Sequence, residues 1–309
     1  GFKVDAEQIV ISSGTEYLFY IIFKLFNNKI YGLENPCHKM FKELFLTNNI
    51  SFKAISLDEN GIVIDDLKKN NVNIAYVTPS HQFPTGAIMS ISRRTELLNW
   101  ANENTERYIV EDDYDSEFKY TGRPIPALKA NDINDKVIYL GSFSKSISPA
   151  IRVSYLVLPK ALLNIYQREL PYFICPVPTL NQKILYRFIK DGYFVKHINK
   201  MRTLYKKKRE FLVNTIKTYS SKILNKEIQI QGADAGLHMV IKLNQKINEK
   251  LFLNECLENS LKLYSLEEYN IEEIYRENSY FLLGYANLTN KEIEEGILLL
   301  LKILKKYCI

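Results

Sequence analysis

The chain has 309 residues, 46% of them hydrophobic and 25% charged, with a formal net charge of +6. That length supports one large or two moderate domains with real cores, and the composition excludes disordered, fibrous and disulfide-stapled classes. A mild positive excess on so long a chain suits an anionic ligand and does not single out nucleic acid.

Short apolar runs alternate with longer amphipathic stretches, the pattern of an α/β domain with a largely parallel sheet. In chain order, strands are predicted at 8–12, 29–33, 52–55, 74–77, 108–111, 137–140 and 152–158. Helices are predicted between them at 15–26, 37–46, 65–69 and 93–102. The alternation stops near Pro159. Cys175-Pro176-Val177-Pro178 then makes a stiff connection, because proline fixes its own φ and restricts the residue before it. Beyond it, helices are expected at 180–189, 194–219, 247–258 and 290–307, and strands at 237–243, 262–265 and 280–285. The expectation is a large domain over 1–168 and a smaller C-terminal α+β domain over 169–309. Cys37, Cys175, Cys256 and Cys308 lack CxxC spacing, so neither a zinc site nor a disulfide framework is indicated, and no metal is expected. The longest apolar run, 17–23, ends at Lys24 and is too short to span a bilayer. The first residues show no signal-peptide pattern. A reducing cytoplasm is the simplest compartment.

Three motifs carry chemistry, and each has a plainer reading beside it. Ser13-Gly14-Thr15 lies between the first strand and the first helix, where free N–H groups attract phosphate; it is also an ordinary helix cap. No GxGxxG or GxxxxGK[ST] occurs, so nucleotide readings lose ground. Glu111-Asp112-Asp113-Tyr114-Asp115 ends a strand. A buried carboxylate there can keep a pyridine nitrogen protonated, although a divalent-metal cluster or a solvated acidic turn would look the same. Ser142-Phe143-Ser144-Lys145, with Arg152 downstream, offers hydroxyls and a guanidinium for phosphate and a lysine to attack an aldehyde. The plainer reading is a surface turn, against which Pro149 and the apolar run 153–158 argue that the segment is packed. All three motifs fall at strand-to-helix junctions, where ligands collect in open α/β sheets. Together they are what pyridoxal phosphate requires.

The wording of these segments resembles fold-type I pyridoxal-phosphate enzymes of the aspartate aminotransferase superfamily. More closely, it is similar to the aminotransferase-like effector domain of MocR-type regulators in the GntR family. The matching phrases are Gln8-Ile9-Val10-Ile11-Ser12-Ser13-Gly14, Tyr76-Val77-Thr78-Pro79-Ser80-His81-Gln82-Phe83-Pro84-Thr85-Gly86 and Glu111 through Phe118. Tyr139 through Lys145, Ala235-Gly236-Leu237-His238 and Leu283-Gly284-Tyr285-Ala286-Asn287-Leu288 complete the resemblance, which covers nearly the whole chain.

The resemblance implies an α/β, fold-type I transferase-like fold with a mostly parallel central sheet flanked by helices. It implies that Lys145 forms the Schiff base with the cofactor, that Asp112 faces the pyridine nitrogen and that Tyr114 meets the phenolic oxygen. Gly14, Thr15, Ser142, Ser144 and Arg152 would hold the phosphate. Phe83 stands where aminotransferases usually carry an asparagine, which leans toward a regulator rather than an enzyme. His38 stands where an aromatic ring usually stacks on the cofactor. Glu268 replaces an arginine that grips a ligand carboxylate, which would favour an amine or a peptide-like amino group, with Arg276 as a nearby substitute. Structural roles are expected for His81 and His238.

By the same resemblance the domain forms a homodimer. It senses an amine, an amino acid, a dipeptide or pyridoxal phosphate itself, through exchange at Lys145. DNA would be reached only through an upstream winged-helix domain absent from this chain. The alternatives are a catalytic aminotransferase using the same residues and a scaffold that dimerises without cofactor.

Overall fold

The alternating runs form the strands of a large sheet: β1 (Ile9–Ser12), β2 (Tyr31–Asn35), β3 (Phe52–Asp58), β4 (Gly61–Ile62), β5 (Ile74–Val77), β6 (Tyr108–Asp113), β7 (Val137–Ser142) and β8 (Ser154–Val157). This computed structural model describes residues 2–123 and 125–307. The strands lie in the order β1-β8-β7-β6-β5-β2-β3-β4. The central pairs, from β3 through β2, β5 and β6 to β7, are parallel. At one edge β8 runs antiparallel to β7 and β1 antiparallel to β8; at the other, β4 folds back on β3.

Parallel strands need crossovers, supplied here by α1 (Thr15–Leu25), α2 (Lys39–Thr47), α3 (Ile64–Lys69) and α4 (Ile91–Asn102). Strands β2 and β5 are buried along their whole length, as strands covered on both faces should be. On one face Phe19 of α1 and Phe41 and Phe45 of α2 pack against Tyr76 and Leu33. On the other, Leu67 of α3 and Leu97 and Trp100 of α4 cover Ala75 and Val77.

After β8 come α5 (Lys160–Glu169), α6 (Thr179–Lys190) and the 32-residue α7 (Tyr193–Leu224). A four-stranded antiparallel sheet follows, built from β9 (Gln229–Gln231), β10 (His238–Lys242), β11 (Tyr264–Ser265) and β12 (Tyr280–Gly284) in the order β11-β12-β10-β9. Helices α8 (Glu249–Glu258) and α9 (Asn290–Leu304) enclose it. Leu212 and Ile216 of α7, Phe252 of α8, Phe281 of β12 and Leu301 of α9 form its core.

Three departures from expectation have local causes. Strand β2 begins at Tyr31 rather than 29, because pairing to β5 starts at Tyr31↔Ile74 and the Ile30 N–H is taken by the Asn73 side chain. Helix α5 was not expected because Pro159 reads as a breaker. Proline is tolerated at a helix start, however, and Pro159 is the residue from which α5 departs. Strands β4 and β9 are two and three residues long, too short for a periodic signal.

Candidate cofactor site

The C-terminal ends of β2, β5 and β6 open on a cavity of about 330 Å³, closed on its far side by Leu237, His238 and Gly284 next to and within the second sheet. Crevices at these strand ends are where open α/β sheets hold ligands.

Strand β6 divides its acids by the two-residue period of a strand. Within β6 Asp112 lines the cavity and Glu111 and Asp113 do not; just beyond the strand Tyr114 and Asp115 line it too. Glu111 accepts from the N–H groups of Leu128 and Lys129 at 2.8 and 2.9 Å. Asp113 accepts from the hydroxyls of Tyr139 and Ser116 at 2.7 and 2.8 Å. All four carboxylates of the run are buried, so the solvated-turn reading fails. Asp112 Oδ2 accepts from Tyr76 Oη at 2.8 Å. Burial raises the Asp112 pKa to about 7; the Tyr76 bond opposes this, and the nearby Asp113 and Asp115 add to it. A cation placed against this carboxylate would offset much of that cost.

An anion cradle stands beyond β1, β8 and β7. Cross-strand register lines up Ser12, Ser154 and Ser142 in one row. Ser154 Oγ donates to Ser142 Oγ at 3.1 Å, and the Ser144 N–H donates to the same oxygen at 3.2 Å. Ser12 Oγ is buried without a partner. From Ser12 the chain passes to Gly14, the residue before α1, where no side chain caps the first-turn N–H groups of Thr15 and its neighbours. Gly14 has φ +110°, and a Cβ there would come within 2.4 Å of Arg152 Nη2. The guanidinium therefore lies against bare backbone at a helix N-terminus, an arrangement suited to phosphate. Glu16 holds it at 3.4 Å.

Lys145 sits in the turn after β7 and lines the cavity. Its side chain is solvent-accessible, so the protein alone does not bury it as the packed-segment expectation implied. His38 caps α2, with Nδ1 accepting from the Met40 N–H at 3.2 Å, and its ring lies 5.0 Å from that of Phe83. Burial, and then the positive charge of Lys145, lower the His38 pKa. Tyr114 Oη donates to the His81 carbonyl at 2.6 Å and lies 3.3 Å from His81 Nδ1.

Two expected ligand residues are not brought to the cavity. Glu268 accepts from the Ser265 N–H at 3.1 Å and pairs with Lys39 at 2.6 Å, so both oxygens serve local structure. Arg276 donates to Asn270 at 3.1 Å from its own loop, away from the lining. The fold instead supplies residues that sequence reasoning passed over. Glu34, fully buried, accepts from the Thr78 N–H and hydroxyl through Oε2, while its Oε1 has no partner. Its one sequence signal was an acid inside an apolar strand. Tyr76 gave none, since an aromatic residue in a strand is ordinary.

The aminotransferase class I and II family model matches residues 1–298. The chain belongs to that family. Among curated relatives, the HTH-type transcriptional regulator YdeL of Bacillus subtilis is 36% identical over 96% of this chain and 63% of its own length. The probable rhizopine catabolism regulatory protein MocR of Rhizobium meliloti is 27% identical over 96% of this chain and 59% of its own. The chain thus spans about three-fifths of the length of these two regulators. Among solved structures, a multiple-substrate aminotransferase of Thermococcus profundus superposes with a TM-score of 0.84 at 25% identity, covering 96% of this chain and 75% of that one.

The cofactor of this aminotransferase family is pyridoxal phosphate, and the residues present fit it. The bare backbone at Gly14 against Arg152 suits a phosphate, although these donors lie outside the residues that line the cavity, and the buried Asp112 on the cavity wall suits a protonated pyridine nitrogen. No helix among the described residues is long and apolar enough to cross a membrane.

Proposed function

We propose that this chain is the pyridoxal-phosphate-binding, effector-sensing domain of a transcription regulator, working in the cytoplasm and reaching DNA through another part of the parent protein. The carrying observation is a cofactor cavity, walled by Asp112 and Lys145, in a chain whose match to HTH-type regulators runs along nearly its whole length. The reading treats 1–168 and 169–309 as two domains, supported by a first sheet that ends at Val157 and a second that begins at Gln229.

Bound in the cavity, pyridoxal phosphate supplies an aldehyde that condenses with amines and a pyridinium that withdraws electrons. The chain's residues do the rest. Gly14, Thr15, Ser142, Ser144 and Arg152 would hold the phosphate by N–H, hydroxyl and guanidinium donors. The Asp112 carboxylate would keep a proton on the pyridine nitrogen, steadied by the Tyr76 hydroxyl. Lys145 supplies the resident amine. Tyr114 would have to share its hydroxyl between His81 and the phenolic oxygen. His38, already beside Phe83, would cover one face of the ring.

An effector amine (a simple amine, an amino acid or a dipeptide) would compete with Lys145 for the aldehyde that the cofactor supplies, and the lysine side chain would then be free. Pyridoxal phosphate itself is the other effector this geometry allows. Either shifts the protein only through different affinity for its two arrangements.

Borohydride reduction of the cofactor-loaded protein, followed by peptide mass mapping, is expected to label Lys145. A label on another lysine, or none, overturns the reading. Absorbance titration against amines, amino acids and dipeptides then identifies the effector class. Catalysis is the second reading, favoured by 26% identity to the aromatic-amino-acid aminotransferase 1 of Thermococcus litoralis over 98% of this chain. Sustained transamination faster than about 1 per second would establish it in place of sensing.

A further inference from the structure

We propose that His81, Asp115 and His238 form a binding site for a divalent transition-metal ion of the zinc class, at the wall shared by the cofactor cavity and the second sheet. This inference stands apart from the proposed sensing role, because none of its three ligands is needed to hold phosphate, pyridine nitrogen or amine.

The three residues come from separate segments: the loop after β5, the end of β6 and the first position of β10. All three are buried, and one ligand atom from each lies within 4.8 Å of the others. His81 Nδ1 is 2.9 Å from Asp115 Oδ2, and the two imidazole rings lie 4.4 Å apart between centroids. Two polar atoms in this buried group have no partner at all: Asp115 Oδ1 and His238 Nε2. Orphaned buried atoms are costly, and here two of them belong to one trio.

The His81 imidazole is oriented as a ligand usually is. His81 Nε2 faces the Gly232 carbonyl at 3.3 Å, which leaves Nδ1 as the coordinating nitrogen. The Gly232 carbonyl on the far nitrogen of His81 is an outer-shell contact of the kind that orients a ligating imidazole. His238 Nε2 is buried without a partner. Gly236 keeps that space open, since a Cβ on it would fall 2.0 Å from His81 Nδ1 and 2.4 Å from Asp115 Oδ2. Tyr114 Oη, 3.3 Å from His81 Nδ1, is the remaining polar neighbour.

Two imidazoles and one carboxylate select zinc-like ions over magnesium or calcium, which prefer oxygen. Zinc–ligand bonds of about 2.0–2.2 Å require ligand atoms within about 4.4 Å of one another. The trio, all within 4.8 Å of one another, is near that span. Asp115 and His238 also line the cavity, so a remaining coordination position faces the cofactor pocket. The ion would tie the first sheet to the second.

The test is titration of the chelator-stripped full chain with Co²⁺, a spectroscopic substitute for zinc. Expected is saturable uptake of one ion with weak ligand-field bands and no thiolate charge-transfer band. Competition by Zn²⁺ should abolish the signal. His238→Gln, His81→Gln and the near-isosteric Asp115→Asn should each weaken binding by about 100-fold or more, beyond the 10–100-fold typical of outer-shell changes. His197→Gln should leave it intact. Circular dichroism identifies any variant that fails to fold, and the wild-type spectrum decides independently of the variants. No saturable uptake by the wild type, a thiolate band, or binding that survives all three ligand substitutions would overturn the proposal.

Discussion

Glu34 shows how one side chain can set the pH response of the cofactor-free protein. Burial, partly countered by bonds from Thr78 and Gln82, raises its pKa from 4.5 to about 7. The folded state therefore binds the proton more tightly than the unfolded state. Its contribution is fully present below about 4.5, shrinks as pH rises toward about 7 and is absent above that. Glu111, Asp112 and Glu117 are raised to about 7 as well and act in the same direction. These four acids should accordingly make stability of the cofactor-free chain fall between about pH 5 and about pH 7, against the opposing trend of His38 and His238, whose lowered pKa values favour the folded state as pH rises. Glu34→Gln keeps an accepting oxygen for Thr78 and removes the charge. It should lessen that fall by roughly 2 kcal/mol, read from urea midpoints at the two pH values. Equal slopes in wild type and variant would mean that Glu34 is ionised at no cost.

At the scale of elements, the start of α1 matters most. The helix owes its position to the apolar residues Leu18, Phe19, Ile21 and Ile22, which bury it on the sheet, but its proposed phosphate role rests on the residue before it. Gly14 holds φ +110°, a region that side chains avoid, with Arg152 packed where a Cβ would stand. Gly14→Ala should cost about 1–2 kcal/mol in stability from backbone strain alone. It should also displace the guanidinium, so pyridoxal-phosphate affinity should fall on the order of 10-fold or more, measured by fluorescence titration beside a thermal melt. A loss of stability with affinity unchanged would detach Arg152 from the phosphate role. The Ser12–Ser154–Ser142 row belongs to this scale too. It exists because an antiparallel edge brings β1 and β7 to either side of β8, a pairing that no local pattern announces.

At the scale of the whole molecule, α6 and the segment before it expose several large apolar side chains. Leu180, Ile184 and Tyr186 of α6 are exposed, and Tyr172 and Ile174 just before it are 92% and 85% exposed. A groove on the other side of α6 from Leu180 and Ile184 is lined by Ile9 and Ile11 of β1 and Val153 just before β8, together with Leu185 and Ile189 of α6. Patches of this kind mark association surfaces, and a second copy of the chain is the occupant that the homodimer expectation supplies. Sedimentation should show a dimer at micromolar concentration. The double substitution Ile174→Asp and Ile184→Asp should weaken it by roughly 30-fold or more, the scale of a hot-spot loss. A wild-type chain that sediments as a monomer throughout would remove the expectation.

The sequence by itself determined the order of strands and helices, because burial on both faces of a parallel sheet leaves apolar runs, and helices leave amphipathic ones. It also placed Lys145, Asp112, Gly14 and Arg152 at strand ends, where residue type and junction together point to one cofactor chemistry. Only the tertiary structure decided which of the residues passed over, or read as ligand contacts, reach the cavity. Glu268 and Arg276 were drawn off into local bonds, while Glu34 and Tyr76 were turned toward Asp112's side of the pocket. The His81–Asp115–His238 trio lies furthest from sequence reasoning, since its members are 34 and 123 positions apart. Periodicity reports which way a side chain leaves its own element; it carries no information about which distant element stands opposite.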